Sequence, residues 1–170
     1  MGNHDNYTML DRLLEVEMFG DKVLKVSENI FYLIRGHFYT IEDKSFLALG
    51  GAQSHDKEFR TPGIDYWPQE EWCDEEKKAC LERVNLQGSK VDYIISHTDT
   101  SKGLSCFENE YRNTDFLYSA KRDSTVIFND IIDSKVNYKK WFFGHWHTDW
   151  GYENYSESKY VPLYKKGICI

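Results

Sequence analysis

Residues 138–147 read Tyr-Lys-Lys-Trp-Phe-Phe-Gly-His-Trp-His, and this stretch decides how the rest of the chain is interpreted. The aromatic run at 141–143 predicts a short buried strand, because strands covered on both faces read as continuous apolar runs. Gly144 ends that run, and His145 and His147 follow it. Side chains two residues apart in an extended segment point to the same side, so both imidazoles are expected to face one site.

Two other parts of the chain place polar, ligand-type side chains in the same way. An apolar run at 91–96 predicts a strand that leads into His97, and residues 2–5 read Gly-Asn-His-Asp. Neutral imidazole is the commonest side-chain metal ligand, and Asn3 adds an amide oxygen. Asp5 is of the type that fixes the tautomer of a neighbouring histidine. One such histidine alone would indicate only a structural residue, but the spaced set predicts a site for Zn, Fe, Mn or Ni.

The rest of the chain alternates between helical and extended patterns. Apolar spacing predicts helices at 8–20, 70–86 and from 123 or 124 to about 132, whereas β-type runs lie at 23–26, 30–34, 37–41, 46–49 and within 160–170. Polar stretches at 52–69 and 98–114 predict long loops, which are usually functional in a compact domain. The pattern predicts one α/β domain over residues 1–170, with its chemistry at strand ends.

Composition and charge exclude several classes of protein. The chain has 170 residues with 21 Lys and Arg against 28 Asp and Glu, and no basic stripe, so nucleic acid is not expected as a partner. No apolar run approaches the roughly 20 residues of a membrane span. Four cysteines without a CxxC spacing, and an N-terminus without a signal-like apolar stretch, predict reduced thiols and a cytoplasmic location.

The histidine motifs together resemble those of the calcineurin-like metallophosphoesterase family. The matching blocks are Gly-Asn-His-Asp at 2–5, Ser-His at 96–97 and Gly-His-Trp-His at 144–147. The loop at 50–70, which begins Gly-Gly-Ala-Gln-Ser, is similar to that of a bacterial and phage branch, although Thr-Asp-Thr at 98–100 stands where that branch often has Cys-Pro. The family also has DxH and GDxx blocks before these motifs, and the sequence contains neither in a suitable place.

The resemblance implies a fold and a metal site. The fold would be an α/β (α+β) sandwich of two mixed β-sheets flanked by helices. The reaction would be hydrolysis of a phosphate ester by metal-activated water, with manganese, iron, zinc or nickel as the divalent ions. By resemblance, Asn3, His97 and His145 would bind one metal and His147 the other.

The resemblance also implies roles for residues that do not bind metal. His4 would act near the leaving group and Asp5 would orient it. Arg60 has two open interpretations, a contact to the substrate phosphate through its guanidinium fork or a salt bridge within the loop. His55 has two interpretations as well, a substrate-facing side chain or a solvated one, of which we favour the second, and we interpret His37 as structural.

The absent blocks lead to the expectation of an incomplete site. Two divalent ions about 4 Å apart repel by roughly 17 kcal/mol at an effective dielectric near 20, and neutral Asn and His ligands offset none of that charge. We therefore expect one metal or none on this chain alone. The first strands of one sheet are expected to be missing, as in a truncated or split gene product, and a partner segment could supply the missing motifs. A non-catalytic remnant or interaction module, or a mononuclear metal-binding protein, is the alternative.

Overall fold

A computed structural model describes residues 1–106, 118–149 and 154–170, and these form a mixed α/β fold with two sheets. The strands are β1 Leu14–Met18, β2 Asp21–Lys25, β3 Phe31–Leu33, β4 His37–Ile41, β5 Lys44–Ala48, β6 Tyr93–Ile95, β7 Lys140–Phe143 and β8 Tyr160–Pro162. The helices are α1 Tyr7–Leu10, α2 Asp74–Leu86, α3 Ser101–Cys106 and α4 Ser124–Lys135, with 3-10 turns at Lys57–Phe59 and Pro68–Glu70.

The first sheet is a small antiparallel one with the order β1-β2-β3. Its register pairs Val16 with Val23 and Val23 with Leu33. The expectation of two mixed sheets is therefore wrong for this sheet, which is wholly antiparallel. Short hairpin connections between neighbouring strands give this arrangement directly.

The second sheet has the order β4-β5-β6-β7-β8 and is mixed. Its edge strand β4 pairs antiparallel with β5, whereas β5, β6, β7 and β8 run parallel to one another. Parallel strands end at the same edge of a sheet, so the segments that follow β5, β6 and β7 emerge side by side. Ligand sites in open α/β sheets lie in this position, outside the carboxyl ends of the strands.

Two apolar clusters cover the faces of the second sheet. The larger one packs α2, α3 and α4 against one face and includes Trp141 and Phe143. The smaller one lies between the two sheets and is formed by Val23, Tyr39, Phe46 and Ala48 with partly buried neighbours. The buried strand predicted at 141–143 is confirmed, because these three aromatic side chains are 0 to 5% exposed.

The four β-type runs between 23 and 49 are confirmed to within two residues, but several other expectations are wrong. The helix predicted over 8–20 is only the one-turn α1 followed by the strand β1. The helix predicted from residue 70 begins at Asp74, and Glu70 before it is fully buried. The loop predicted over 98–114 contains α3, and its residues 107–114 lie outside the described residues.

Two further expectations concern membrane-spanning helices and the state of the cysteine thiols. In the ranges that the structure describes, no helix combines the length and the apolar character that crossing a membrane requires. All four cysteines are free, as predicted. A single domain over 1–170 stays a prediction.

Candidate metal centre

Asn3, His97 and His145 meet at the carboxyl edge of the second sheet. His97 follows β6 and His145 follows β7, and the Gly144 amide donates to the carbonyl of His97 at 3.0 Å, so the two loops run together. The N-terminal segment lies across this edge, where the Gly51 amide donates to the carbonyl of Met1 at 2.8 Å. Residues almost a hundred positions apart are thereby brought to one place.

The polar atoms of these three side chains lie at contact distance. Asn3 Oδ1 is 2.8 Å from His97 Nε2, and His97 Nε2 is 3.3 Å from His145 Nδ1. Two ligands bound at about 2.1 Å to one ion are separated by roughly 3 Å, so this spacing fits a shared cation. The imidazole and amide donors are also of the borderline type that zinc, iron, manganese and nickel accept.

Burial keeps both imidazoles of the cluster neutral. It is the largest cause that lowers the pKa of His97 to about 4 and that of His145 to about 3, and neighbouring imidazoles contribute to the value for His145. A neutral ring keeps a lone pair for a metal ion, whereas a protonated ring would repel it. The charge state of the cluster at neutral pH therefore suits ligation.

His147 follows His145 by two residues, in a segment with an unusual backbone conformation. The segment 144–147 is not extended, because His145 and His147 have φ angles of 67° and 51°. The basis for placing both rings on one face by extended geometry is therefore wrong. The ring of His147 stacks on Tyr164, which follows β8, with the centroids 4.8 Å apart. Left-handed backbone at two non-glycine residues is strained, and such strain is concentrated at functional sites.

His4 and Asp5 flank the cluster on its N-terminal side. His4 Nε2 lies 3.4 Å from Asn3 Nδ2, at the rim of the group. The carboxylate of Asp5 accepts from the Gly2 amide at 2.5 Å and from the hydroxyl of Tyr32. In this structure Asp5 thus holds the turn at 2–5 in shape, and the orienting role predicted for it stays a prediction.

Arg60 takes part in an ion pair within its own loop. Its Nε and one terminal nitrogen donate to the two oxygens of Asp56, both at 2.7 Å, and a further bond at 3.1 Å reaches the carbonyl of Asp65. The neighbouring Lys57 pairs with Glu71 at 2.8 Å. Of the two open interpretations of Arg60, the structure contains the loop salt bridge.

His37 and His55 also have defined surroundings. The Nδ1 atom of His37 lies 3.0 Å from Asp21, at the contact between the two sheets, so His37 is structural as predicted. The side chain of His55 is about a quarter exposed, and its ring centroid is 5.7 Å from that of His145. His55 is therefore solvated and also beside the cluster, which the residue pattern alone did not predict.

The buried carboxylate of Glu70 orients the amide of Asn3 through the side chain of Ser54. Glu70 is fully buried and accepts from the Ser54 amide at 2.6 Å and from the Ser54 hydroxyl at 2.8 Å. Because the Ser54 hydroxyl donates its proton to Glu70, its oxygen can only accept the second hydrogen bond, which Asn3 Nδ2 donates at 3.1 Å. This chain of bonds leaves Asn3 Oδ1 facing His97. The sequence pattern placed Glu70 only at the start of the predicted helix 70–86 and did not identify this role.

Two cavities open beside the cluster. One of about 320 Å³ is lined by His4, Asp5 and His97 together with the ends of β5 and β6. The other, of about 310 Å³, is lined by His4, His145, Trp146 and residues of the 52–69 loop. A small ligand could therefore reach the donor atoms from either side.

Comparison with known proteins neither supports nor excludes a family. No family model matches the chain, and neither a curated protein nor a solved structure matches it. Over the described ranges, no group of three or more His, Cys, Asp or Glu side chains is placed to hold a metal ion. The cluster contains two imidazoles and one amide, so it offers the donors for one weakly held cation.

Proposed function

We propose that this chain takes part in metal-dependent hydrolysis of phosphate esters, with Asn3, His97 and His145 as ligands of one divalent ion. The observation that carries the proposal is the convergence of Asn3 Oδ1, His97 Nε2 and His145 Nδ1 within 2.8 to 3.3 Å of their neighbours. Burial and neutrality of both rings support it. The resemblance of the three motif blocks to the calcineurin-like metallophosphoesterases supplies the reaction class.

The roles of the surrounding residues follow from their positions. A bound divalent ion would polarise the phosphate and lower the pKa of a bound water. The bond that Asn3 Nδ2 donates to the Ser54 hydroxyl oxygen orients the Asn3 amide, and His4 lines both cavities, where it can donate a proton to a leaving oxygen. His147 is proposed, by resemblance alone, as a ligand of a second ion.

The ligand set is neutral, and this limits the affinity of the chain alone for a divalent ion. It does not offset the charge of even one divalent ion, so we propose weak binding of one metal at most. A partner segment that carries the DxH and GDxx blocks would supply the carboxylates. The second candidate is a non-catalytic module on the same scaffold, and the lack of a third His, Cys, Asp or Glu ligand in the described ranges favours it.

Metal titration of the full chain tests the proposal. We expect calorimetry with Mn²⁺ or Zn²⁺ to show at most one site, and His97→Ala and His145→Ala each to weaken binding at least tenfold, since each removes one of three donors. His37→Asn is the matched control, because His37 lies at the sheet contact beside Asp21 and should leave the affinity unchanged.

Hydrolysis of p-nitrophenyl phosphate then separates the two candidates. Metal-dependent release of p-nitrophenol that His145→Ala abolishes would support the phosphoesterase. Metal binding without any hydrolysis would leave two possibilities for this chain, the non-catalytic module or a site that the partner segment must complete. Metal affinity that is equal in the wild type and in both histidine variants would overturn the proposed site altogether.

A further inference from the structure

Phe59 is an aromatic side chain held at the surface beside the metal-ligand cluster. It is 84% exposed and ends the 3-10 turn Lys57–Phe59 in the loop at 52–69. Single exposed apolar residues are common and carry no meaning by themselves. This one, however, lines the 310 Å³ cavity that also reaches His4 and His145.

The cavity is lined by both aromatic and polar side chains. Phe59, His55 and Trp146 contribute rings, and the ring centroids of His55 and Trp146 lie 6.1 Å apart. Asn3 and His145 of the cluster also line the cavity, and the ring centroid of His145 lies 5.7 Å from that of His55. A ligand with a flat apolar part and a charged or polar part could stack its apolar part on the aromatic rings and place its polar part against the donor atoms of the cluster.

The turn that carries Phe59 is anchored on both sides. Lys57, which begins the turn, forms an ion pair with Glu71 at 2.8 Å. Arg60, which follows the turn, donates two hydrogen bonds to Asp56. The backbone on either side of Phe59 is therefore held in place, which reduces the ordering cost of binding a ligand there.

We infer that this cavity receives a planar aromatic group attached to a phosphate ester, stacked on Phe59, while the phosphate faces the Asn3, His97 and His145 cluster. The inference rests on the proposed function and names its substrate class. A volume of about 310 Å³ lies at the lower end of ligand pockets and is more than a phosphate alone requires. Either a nucleobase or a phenyl ring has the required chemistry.

Calorimetry on the full chain with Mn²⁺ present tests the inference, with AMP, ribose 5-phosphate, phenyl phosphate and adenosine as the probes. AMP and ribose 5-phosphate differ by the base alone. We expect AMP to bind about tenfold more tightly than ribose 5-phosphate, since stacking of a base on an aromatic side chain is worth roughly that factor or more. Phe59→Ala should remove this difference, and the comparison with phenyl phosphate shows which kind of ring is preferred.

Ile64→Ala is the matched control, because Ile64 is 74% exposed on the same loop and does not line the cavity. It should leave all affinities unchanged. Equal binding of AMP and ribose 5-phosphate, or a preference that survives in Phe59→Ala, would overturn the inference and leave the phosphoesterase proposal intact. Binding of adenosine that depends on Phe59, without binding of either sugar phosphate, would instead overturn the phosphoesterase proposal.

Discussion

At the scale of single residues, Gly103 shows how tightly the region beside the cluster is packed. Gly103 lies in α3, and a Cβ atom built on it would stand 1.4 Å from Oδ2 of Asp99. Asp99 is fully buried, and burial raises its pKa well above the usual value, with Asp133 and Asp130 adding to the effect. The neutral acid is therefore favoured, and it occupies the space that any side chain at 103 would need.

Replacing Gly103 tests this close contact. Alanine normally favours a helix over glycine by about 1 kcal/mol, but here we expect Gly103→Ala to lower the free energy of unfolding by about 1–3 kcal/mol through overpacking. Urea denaturation followed by circular dichroism measures it. Gly167→Ala, where a Cβ meets no atom within 4 Å, should change little.

A double substitution identifies the cause of that loss. Asp99→Ala with Gly103→Ala removes the carboxyl group that the new methyl group meets. We expect most of the lost stability to return in the double variant. If the two losses simply add, the contact between residues 99 and 103 is not their source.

At the scale of elements, the hairpin formed by β1 and β2 explains the wrong helix prediction. Residues 14–18 read Leu-Glu-Val-Glu-Met, which alternates with the period of a strand, although Leu14 and Met18 also fit a helical spacing with Leu10. The two-residue connection Phe19–Gly20 has φ angles of 59° and 87°, typical of a type I′ turn that matches the twist of the strands. Pairing with β2 therefore overrides the helical interpretation.

The start of α4 holds a carboxylate whose charge is disfavoured. Asp123 occupies the position before the helix, and burial, with a smaller contribution from Glu71, raises its pKa to about 7. The folded state thus binds this proton more tightly than the unfolded state does. Its contribution to stability is complete below the ordinary pKa near 4 and is lost as the pH rises from about 4 to about 7.

Asp123→Asn removes this pH dependence, because Asn resembles the protonated acid and also starts helices well. We expect the variant to exceed the wild type in unfolding free energy by about 1–3 kcal/mol at pH 8 and to equal it near pH 4. Urea denaturation across this range measures the difference. Asp11→Asn, at an exposed position, is the control, and an equal gain at both pH values would contradict the assignment.

At the scale of the whole molecule, the two sheets are joined through a small apolar contact. Val23 of β2 is fully buried against a cluster that contains Tyr39, Phe46 and Ala48 of the second sheet. His37, which is bonded to Asp21, stands at the same contact. This contact fixes the small sheet against β4 and β5, on the face opposite the helices.

Truncating Val23 tests whether the sheets unfold together. We expect Val23→Ala to lower the free energy of unfolding by about 2–3 kcal/mol in one transition, through lost burial and a cavity. Val26→Ala, at a residue that is 47% exposed, should change it by less than about 0.5 kcal/mol. Two separate transitions, with only the first shifted, would show that the small sheet unfolds independently.

Local pattern alone determined the elements that carry the candidate site. The apolar runs before His97 and His145 predicted their strands, because a short run of bulky residues has few ways to be buried other than inside a sheet. The same pattern placed both histidines at strand ends. The strand at 14–18 could not be told from a helix, since its conformation depends on pairing with β2.

Only the tertiary structure decided which donor atoms meet. Asn3 and His97 are 94 positions apart, and their contact depends on the order of parallel strands and on the N-terminal segment lying across their ends. Glu70 orients Asn3 through Ser54, and His147 turns toward Tyr164, for the same kind of reason. Sequence periodicity specifies which face of an element a side chain occupies, whereas the meeting of two loops depends on how the elements pack.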